Sequence, residues 1–289
     1  MAKVYKHNSN HKDSIRKRWI YFIEEMIKED KELDQNGISV LTFPAEEMHD
    51  LELFAEEGFI GWETTETGSL NITKGQIICF EKNQTIWKKL KTRFSNAIVE
   101  SCEFEKYLSN NFKSLLKGSL KMFPIDVINL DYDGAISKNA LSIDVVMSMI
   151  FDLQANFSKD FSLFITWPRP HNPEIDEPNF INSLKNTIIE NFNDPRATSF
   201  KDIFSENYPS IETIKYEPLT IIGITKKILA QAASKKYQIV RHEFYTYGEA
   251  GRQPMMSVLY HFQHIGSEKS QSSIYSEDVI KSLSNISIL

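Results

Sequence analysis

The feature that most constrains this chain is a repeated alternation. Short, nearly uninterrupted apolar runs occur at ISVLTF (38–43), QIICF (76–80), AIVES (97–101), DVINL (126–130) and FSLFITW (161–167). Between them lie stretches with helical periodicity at 45–57, 83–94, 103–117 and 139–157. Runs rich in Ile, Val and Phe, without polar alternation, suit strands buried on both faces of a parallel sheet. Regular strand–helix alternation predicts a doubly wound, Rossmann-like α/β fold. Right-handed crossovers then place the loops after each strand along one edge, where ligands bind near the point of strand-order reversal. Further helices are expected at 178–193 and 218–233. YQIVRHEFYTY (237–247) and PMMSVLYHFQHI (254–265), joined by GEAGRQ, read as a C-terminal antiparallel hairpin.

The flanks differ from this core. Residues 1–37 read as a helical extension whose 13–34 stretch carries Ile15, Trp19, Phe22, Ile23, Met26 and Ile27 at helical spacing. Arg16, Lys17 and Arg18 lie mostly off that stripe, as a solvated face or as a small basic patch at a substrate cleft. Residues 266–289 read as a polar, Ser-rich tail leading to a short helix. A chain of 289 residues with 41% hydrophobic and 25% charged residues fits one large globular domain with an appendage. No apolar run approaches the roughly 18–20 residues of a membrane span, so no membrane partner is expected. The start, MAKVYKHNSNHKDSIRKRW, has no apolar stretch of a secretory signal, and Cys79 and Cys102 follow no zinc spacing. A cytoplasmic protein is the simplest expectation. The net charge of −6 argues against a broad nucleic-acid-coating surface but allows a local basic cleft.

The strand ends carry the candidate chemistry. The first ends in LTFPAEEMHD (41–50), where Pro44, Glu46 and Glu47 read as a helix start. This turn has no glycine, hence no phosphate cradle, and its acids disfavour a pyrophosphate at the helix N-terminus. NAD, FAD and nucleoside triphosphates become poor candidates, whereas a ligand with an amino group is tolerated. The second strand ends in Glu81, with Lys82 beside it; the acid is placed to accept from both hydroxyls of a ribose, or simply marks where solvent begins after the apolar run. The polar stretch 61–75 between the two reads as an inserted loop. Cys102 and Glu103 follow the third strand, and Glu103 is placed either to accept from an adenine amino group or to serve a helix N-terminus. The fourth strand leads into LDYDG, where Asp131 and Asp133 flank Tyr132 before Gly134. Paired carboxylates there can act as a base or bind a cation, or can satisfy a local Asp-Gly turn.

In this order the pieces resemble the class I S-adenosylmethionine-dependent methyltransferases, over residues 38–265. The resemblance implies a seven-stranded sheet whose last strand is antiparallel, with 254–265 inserted beside 161–167. It implies S-adenosylmethionine as cofactor. Phe43, Pro44, Ala45 and Glu46 would lie along its methionine part, Glu81 and Lys82 at its ribose, and Cys102 and Glu103 at its adenine. Asp131, with Asp133, would face the methyl group or its acceptor as the catalytic acids. The acceptor is left open among nucleic acid, protein and small molecule. The family's E/D-x-G-x-G loop is replaced here by TFPAEE, so a non-catalytic binding or assembly module on the same fold is the alternative. The chain has neither the Asn/Asp-Pro-Pro-Tyr/Phe motif of amino-methylating DNA enzymes nor a Pro-Cys pair at this position.

LDYDGAIS also resembles the first motif of haloacid dehalogenase-type phosphatases. In that rival reading Asp131 would be the nucleophile, Asp133 the general acid/base and Thr166 a second-motif hydroxyl, with Mg²⁺ bound. It requires paired acids after a later apolar strand, and SEDVI (276–280) follows a polar stretch instead. Trp167, Arg169 and His171 in WPRPHNP line a substrate mouth or stiffen a connector. His261 and His264 are expected on opposite faces of one strand. His7 and His11 have helical metal spacing in a polar terminus.

Overall fold

The computed structural model describes residues 10–134, 136–138, 142–193, 200–248, 254–266 and 287–288. The chain opens with helices α1 (Asn10–Glu29) and α2 (Lys31–Asn36), separated at Asp30, whose extended backbone and side-chain bond to the Glu32 N–H cap α2. The 13–34 helix expected from the sequence is thus two helices. Then follow β1 (Ser39–Thr42), α3 (His49–Glu56), β2 (Gly61–Thr64), β3 (Leu70–Lys74), β4 (Gln76–Phe80), α4 (Gln84–Arg93), β5 (Ile98–Glu100), α5 (Phe104–Leu116) and β6 (Val127–Asp131). After β6 come α6 (Ile143–Ala155), β7 (Phe161–Pro168), α7 (Pro173–Asp176), α8 (Pro178–Phe192), α9 (Phe200–Asn207) and α10 (Tyr216–Ser234). The chain finishes with β8 (Tyr237–Tyr247), β9 (Met255–His264) and the two-residue β10 (Ser287–Ile288).

The main sheet has the order β10-β8-β9-β7-β6-β1-β4-β5. β5, β4, β1, β6 and β7 pair in parallel. β9 runs antiparallel to both β7 and β8, from Phe161 opposite Phe262 to Pro168 opposite Met255. The hairpin is therefore inserted beside β7 as expected, completing a seven-stranded Rossmann-like sheet that β10 extends at its edge.

Period-two alternation sorts each strand between two layers of helices. Val40, Ile77, Val127, Phe164 and Leu259 face α1, α3 and α4, where Trp19 stacks on Phe164 at 5.8 Å and Phe22 meets it edge-on at 5.9 Å. Leu41, Ile78, Ile128, Leu163 and Val258 face the opposite layer, with α5, α6, α8 and α10. Every residue of β7 is buried, which accounts for its unbroken apolar run. α10 lies close against α8 because residue 223 is glycine: a Cβ there would sit 2.7 Å from Leu184 Cδ2 and 2.9 Å from Leu184 Cβ.

One local expectation is corrected. The helix after β1 starts at His49, not at Pro44, so Pro44–Glu47 form a loop and Glu46 and Glu47 are not in its first turn. Met48, buried and left-handed at φ 53, turns the chain into α3, and its side chain packs with Leu51 and Phe54. The 61–75 stretch, expected as an inserted loop, is an insertion that forms the β2–β3 antiparallel hairpin. Trp62, Leu70 and Ile72 lay one face of that hairpin against the α4 side of the core. The expected terminal helix within 266–289, the SEDVI segment and the GEAGRQ turn with Arg252 lie outside the described residues apart from β10 and the flanking Gly248 and Gly266.

Candidate functional site

The parallel strands end along one edge, which divides into two parts of different chemistry. At the β5–β4–β1 end the carboxylates are accessible. Glu81, just past β4, accepts the Asn83 N–H at 2.6 Å through Oε1, and burial pushes its carboxyl above the usual range. Glu103 precedes α5 and pairs with Lys106 at 2.7 Å. Glu46, in the β1 loop, pairs with Lys89 of α4. Lys82 Nζ lies 3.3 Å from Asp133 Oδ1, and both side chains are largely exposed. Cys102 is half-buried, and burial together with Glu100 and Glu103 raises its thiol pKa. Cys79 is buried within β4 with its thiol pushed far up by burial, so neither cysteine is poised as a thiolate.

At the β1–β6–β8 end the charges are locked. Asp131, at the end of β6, accepts from Lys12 Nζ, and both side chains are only 14% exposed. Burial works against the Lys12 ammonium, but Asp131 and Asp50 outweigh it and raise its pKa. One turn along α1, Arg16 Nε donates to Asp50 Oδ1 at 2.7 Å and Nη1 donates to Asp13 Oδ1 at 3.0 Å. Asn129 Nδ2 lies 3.5 Å from Asp50 Oδ2 and 3.4 Å from Thr42 Oγ1. Tyr247, at the end of β8, is buried here, its phenol pushed up by burial with Asp131 and Asp50 adding to it. Arg18 clamps Glu243 of β8 through two bonds, one of them 2.7 Å long from Nε.

Aromatic rings bridge the two parts. Phe43 lies 6.1 Å from Phe104 and 5.6 Å from Tyr132, and Phe104 lies 5.0 Å from Phe80. These rings join the ends of β1, β4 and β6 to the start of α5. Tyr132 is buried, and burial with the nearby Glu105 raises its phenol pKa.

Phe43, Pro44, Ala45, Glu46, Glu81, Lys82, Cys102, Glu103, Asp131 and Asp133 lie at or just past the ends of β1, β4, β5 and β6. The edge does not leave Asp131 and Asp133 as a working pair: one is tied to α1, the other turned outward to Lys82. Lys12, Asp50 and Tyr247 are the residues that sequence reasoning missed. Arg16 belongs neither to a solvated face nor to an open basic patch, because Asp50 neutralises it in the interior.

The remaining candidates disperse. Trp167 is fully buried, and Arg169 turns to Glu217 at 2.5 Å, so neither lines a mouth. Thr166 is buried with its hydroxyl 2.9 Å from Ser257 Oγ. His261 is buried beside Ser162 at 3.1 Å, while His264 lies against the Tyr237 ring. His7 lies outside the described residues. Among the described residues no cluster of His, Cys, Asp and Glu is arranged to hold a metal ion, and no helix is long and apolar enough to cross a membrane.

The fold and edge define a Rossmann-like α/β protein with its acids gathered at the strand ends. Neither a scan of protein-family models nor a search of curated proteins finds a match to the chain.

Proposed function

We propose that this chain is a divergent class I S-adenosylmethionine-dependent methyltransferase that binds its cofactor over the ends of β1, β4 and β5. The observation that carries this reading is the strand order, with β9 reversed between β7 and β8. A dinucleotide-binding sheet has no need of that reversal, and the resemblance to methyltransferases requires it. Glu81 fits a ribose diol: one carboxylate oxygen holds the Asn83 N–H, and the other has no partner among the described residues. The β1 loop fits less well, because Phe43 packs on Phe104 and Tyr132 where the methionine part would run.

S-adenosylmethionine supplies an electrophilic methyl group. The protein's share is to orient the acceptor and exclude water. In this reading Asp131 orients an acceptor only once its bond to Lys12 is given up; while that pair holds, the carboxylate is engaged.

The aromatic bridge and the Lys12–Asp131 pair favour a second reading, a methyltransferase-like fold kept as a binding or assembly module. Calorimetry with S-adenosylmethionine and its demethylated product separates the two. Saturable heat with both ligands, at one site per chain, supports the first. Absence of heat at millimolar ligand removes it and leaves the second.

A further inference from the structure

A groove of about 480 Å³ runs between the β2–β3 turn and α4, lined by Thr67, Gly68, Ser69, Lys88, Lys89, Thr92 and Arg93. The helix behind it carries Lys88, Lys89, Lys91 and Arg93 and no acid, in a chain of net charge −6. Glu46 engages Lys89, and Glu52 lies 3.5 Å from Arg93. Lys88 lines the groove and Lys91, on the same helix, lies outside its lining; both are exposed and make no ion pair among the described residues. Glu66 lies in the same turn but does not line the groove. The opposite wall is a hydroxyl cluster: Thr65 Oγ1 lies 2.9 Å from Thr67 Oγ1 and 2.8 Å from Ser69 Oγ, and the latter two are 3.2 Å apart. Ammonium groups facing hydroxyls are the donors that hold a sugar–phosphate backbone without reading its sequence. A phosphopeptide site would instead converge several arginines on one point, and the single arginine here is turned to Glu52.

We propose that this groove binds the phosphate backbone of a nucleic-acid strand and delivers it to the strand-end edge. The Glu46–Lys89 pair ties the groove to the β1 loop, so a strand lying along α4 reaches the proposed cofactor site. This deepens the methyltransferase reading by naming a nucleic acid as acceptor, and it rests on that reading for its purpose, not for the binding itself.

The test is fluorescence polarisation of the full chain with a labelled single-stranded oligonucleotide of mixed sequence, across a salt series. Wild type is expected to bind at low salt, with affinity falling as salt rises. The double variant Lys88→Glu with Lys91→Glu is expected to lose at least about tenfold in affinity. Its salt slope should be shallower by about one for each phosphate no longer neutralised. Lys31→Glu with Lys117→Glu makes the same charge change at exposed sites elsewhere and is expected to stay close to wild type. Equal weakening by both pairs, or no binding at low salt, overturns the proposal. So does displacement by inorganic phosphate or a phosphoserine peptide at the concentrations at which unlabelled strand competes. Calorimetry with S-adenosylmethionine reports separately: strand binding without cofactor heat keeps the groove and removes the methyltransferase reading, and cofactor heat without strand binding does the reverse.

Discussion

The two ends of the strand edge use the same kind of residue for opposite purposes. At β4 and β5, Glu81 and Glu103 meet solvent and surface lysines, in arrangements a ligand can enter. At β6 and α3, Asp131 and Asp50 are covered by α1 and neutralised by Lys12 and Arg16. The difference lies in what packs on top. α1 is anchored by Trp19, Phe22, Ile23 and Met26, all buried, so its charged first turns are held down by a large apolar contact rather than by the ion pairs alone. A carboxylate at a strand end is therefore a site candidate only where no other element claims it.

The comparison breaks first at Asp50. Asp50→Ala leaves Arg16 buried without its main partner, and losing one half of a buried pair costs about 3–5 kcal/mol. Urea unfolding should show a loss of that order. A loss under about 1 kcal/mol would mean that Arg16 reaches water and the region is not locked.

The next effect is pH-dependent. Burial, with Arg241 adding to it, lowers the His261 pKa from 6.5 to about 4. The folded state then binds fewer protons than the unfolded state between these values, so stability is full above about pH 6.5 and falls as pH drops toward 4. Fully expressed, the gap amounts to about 3 kcal/mol. Chemical denaturation of wild type and His261→Gln across this window should show the variant's acid loss reduced. Parallel curves would place the acid sensitivity elsewhere.

Lys12→Met sharpens the contrast at smaller cost. Asp131 keeps some exposure to water, so the expected loss is about 1–3 kcal/mol. The variant should unfold at lower urea with an unchanged slope. Wild-type stability would show that the pair holds nothing down. In neither protein is Mg²⁺-dependent hydrolysis of a generic phosphate ester expected, because Asp131 is tied to Lys12 and Thr166 to Ser257. Turnover abolished by Asp131→Asn would revive the phosphatase reading.

Much of the fold was legible because period and burial coincide. The run FSLFITW has no polar alternation because β7 is covered on both faces. Ile239, Val258, Leu259 and Phe262 made the hairpin too apolar for an exposed edge, and β9 lies inside the sheet. The loop after β1 misled, because Pro44 followed by two glutamates is a good local helix start. Burial of Met48 overrides that signal and delays the helix to His49. The ionic lock was not legible, since Lys12 with Asp131 and Arg16 with Asp50 pair across long sequence separations that no local pattern encodes. The one hint was that Arg16 directly follows Ile15 near the buried face of an amphipathic helix.

In the proposed reading a cofactor binds over the open region and not the locked one. Side-by-side calorimetry of wild type, Glu81→Ala and Lys12→Met with S-adenosylmethionine tests it most directly. Wild type should bind saturably. Folded Glu81→Ala should lose about 1.5–3 kcal/mol of binding energy, from the charge-assisted bonds to the ribose, and Lys12→Met should keep near-wild-type affinity. Unchanged affinity in Glu81→Ala, or a loss confined to Lys12→Met, would contradict this reading.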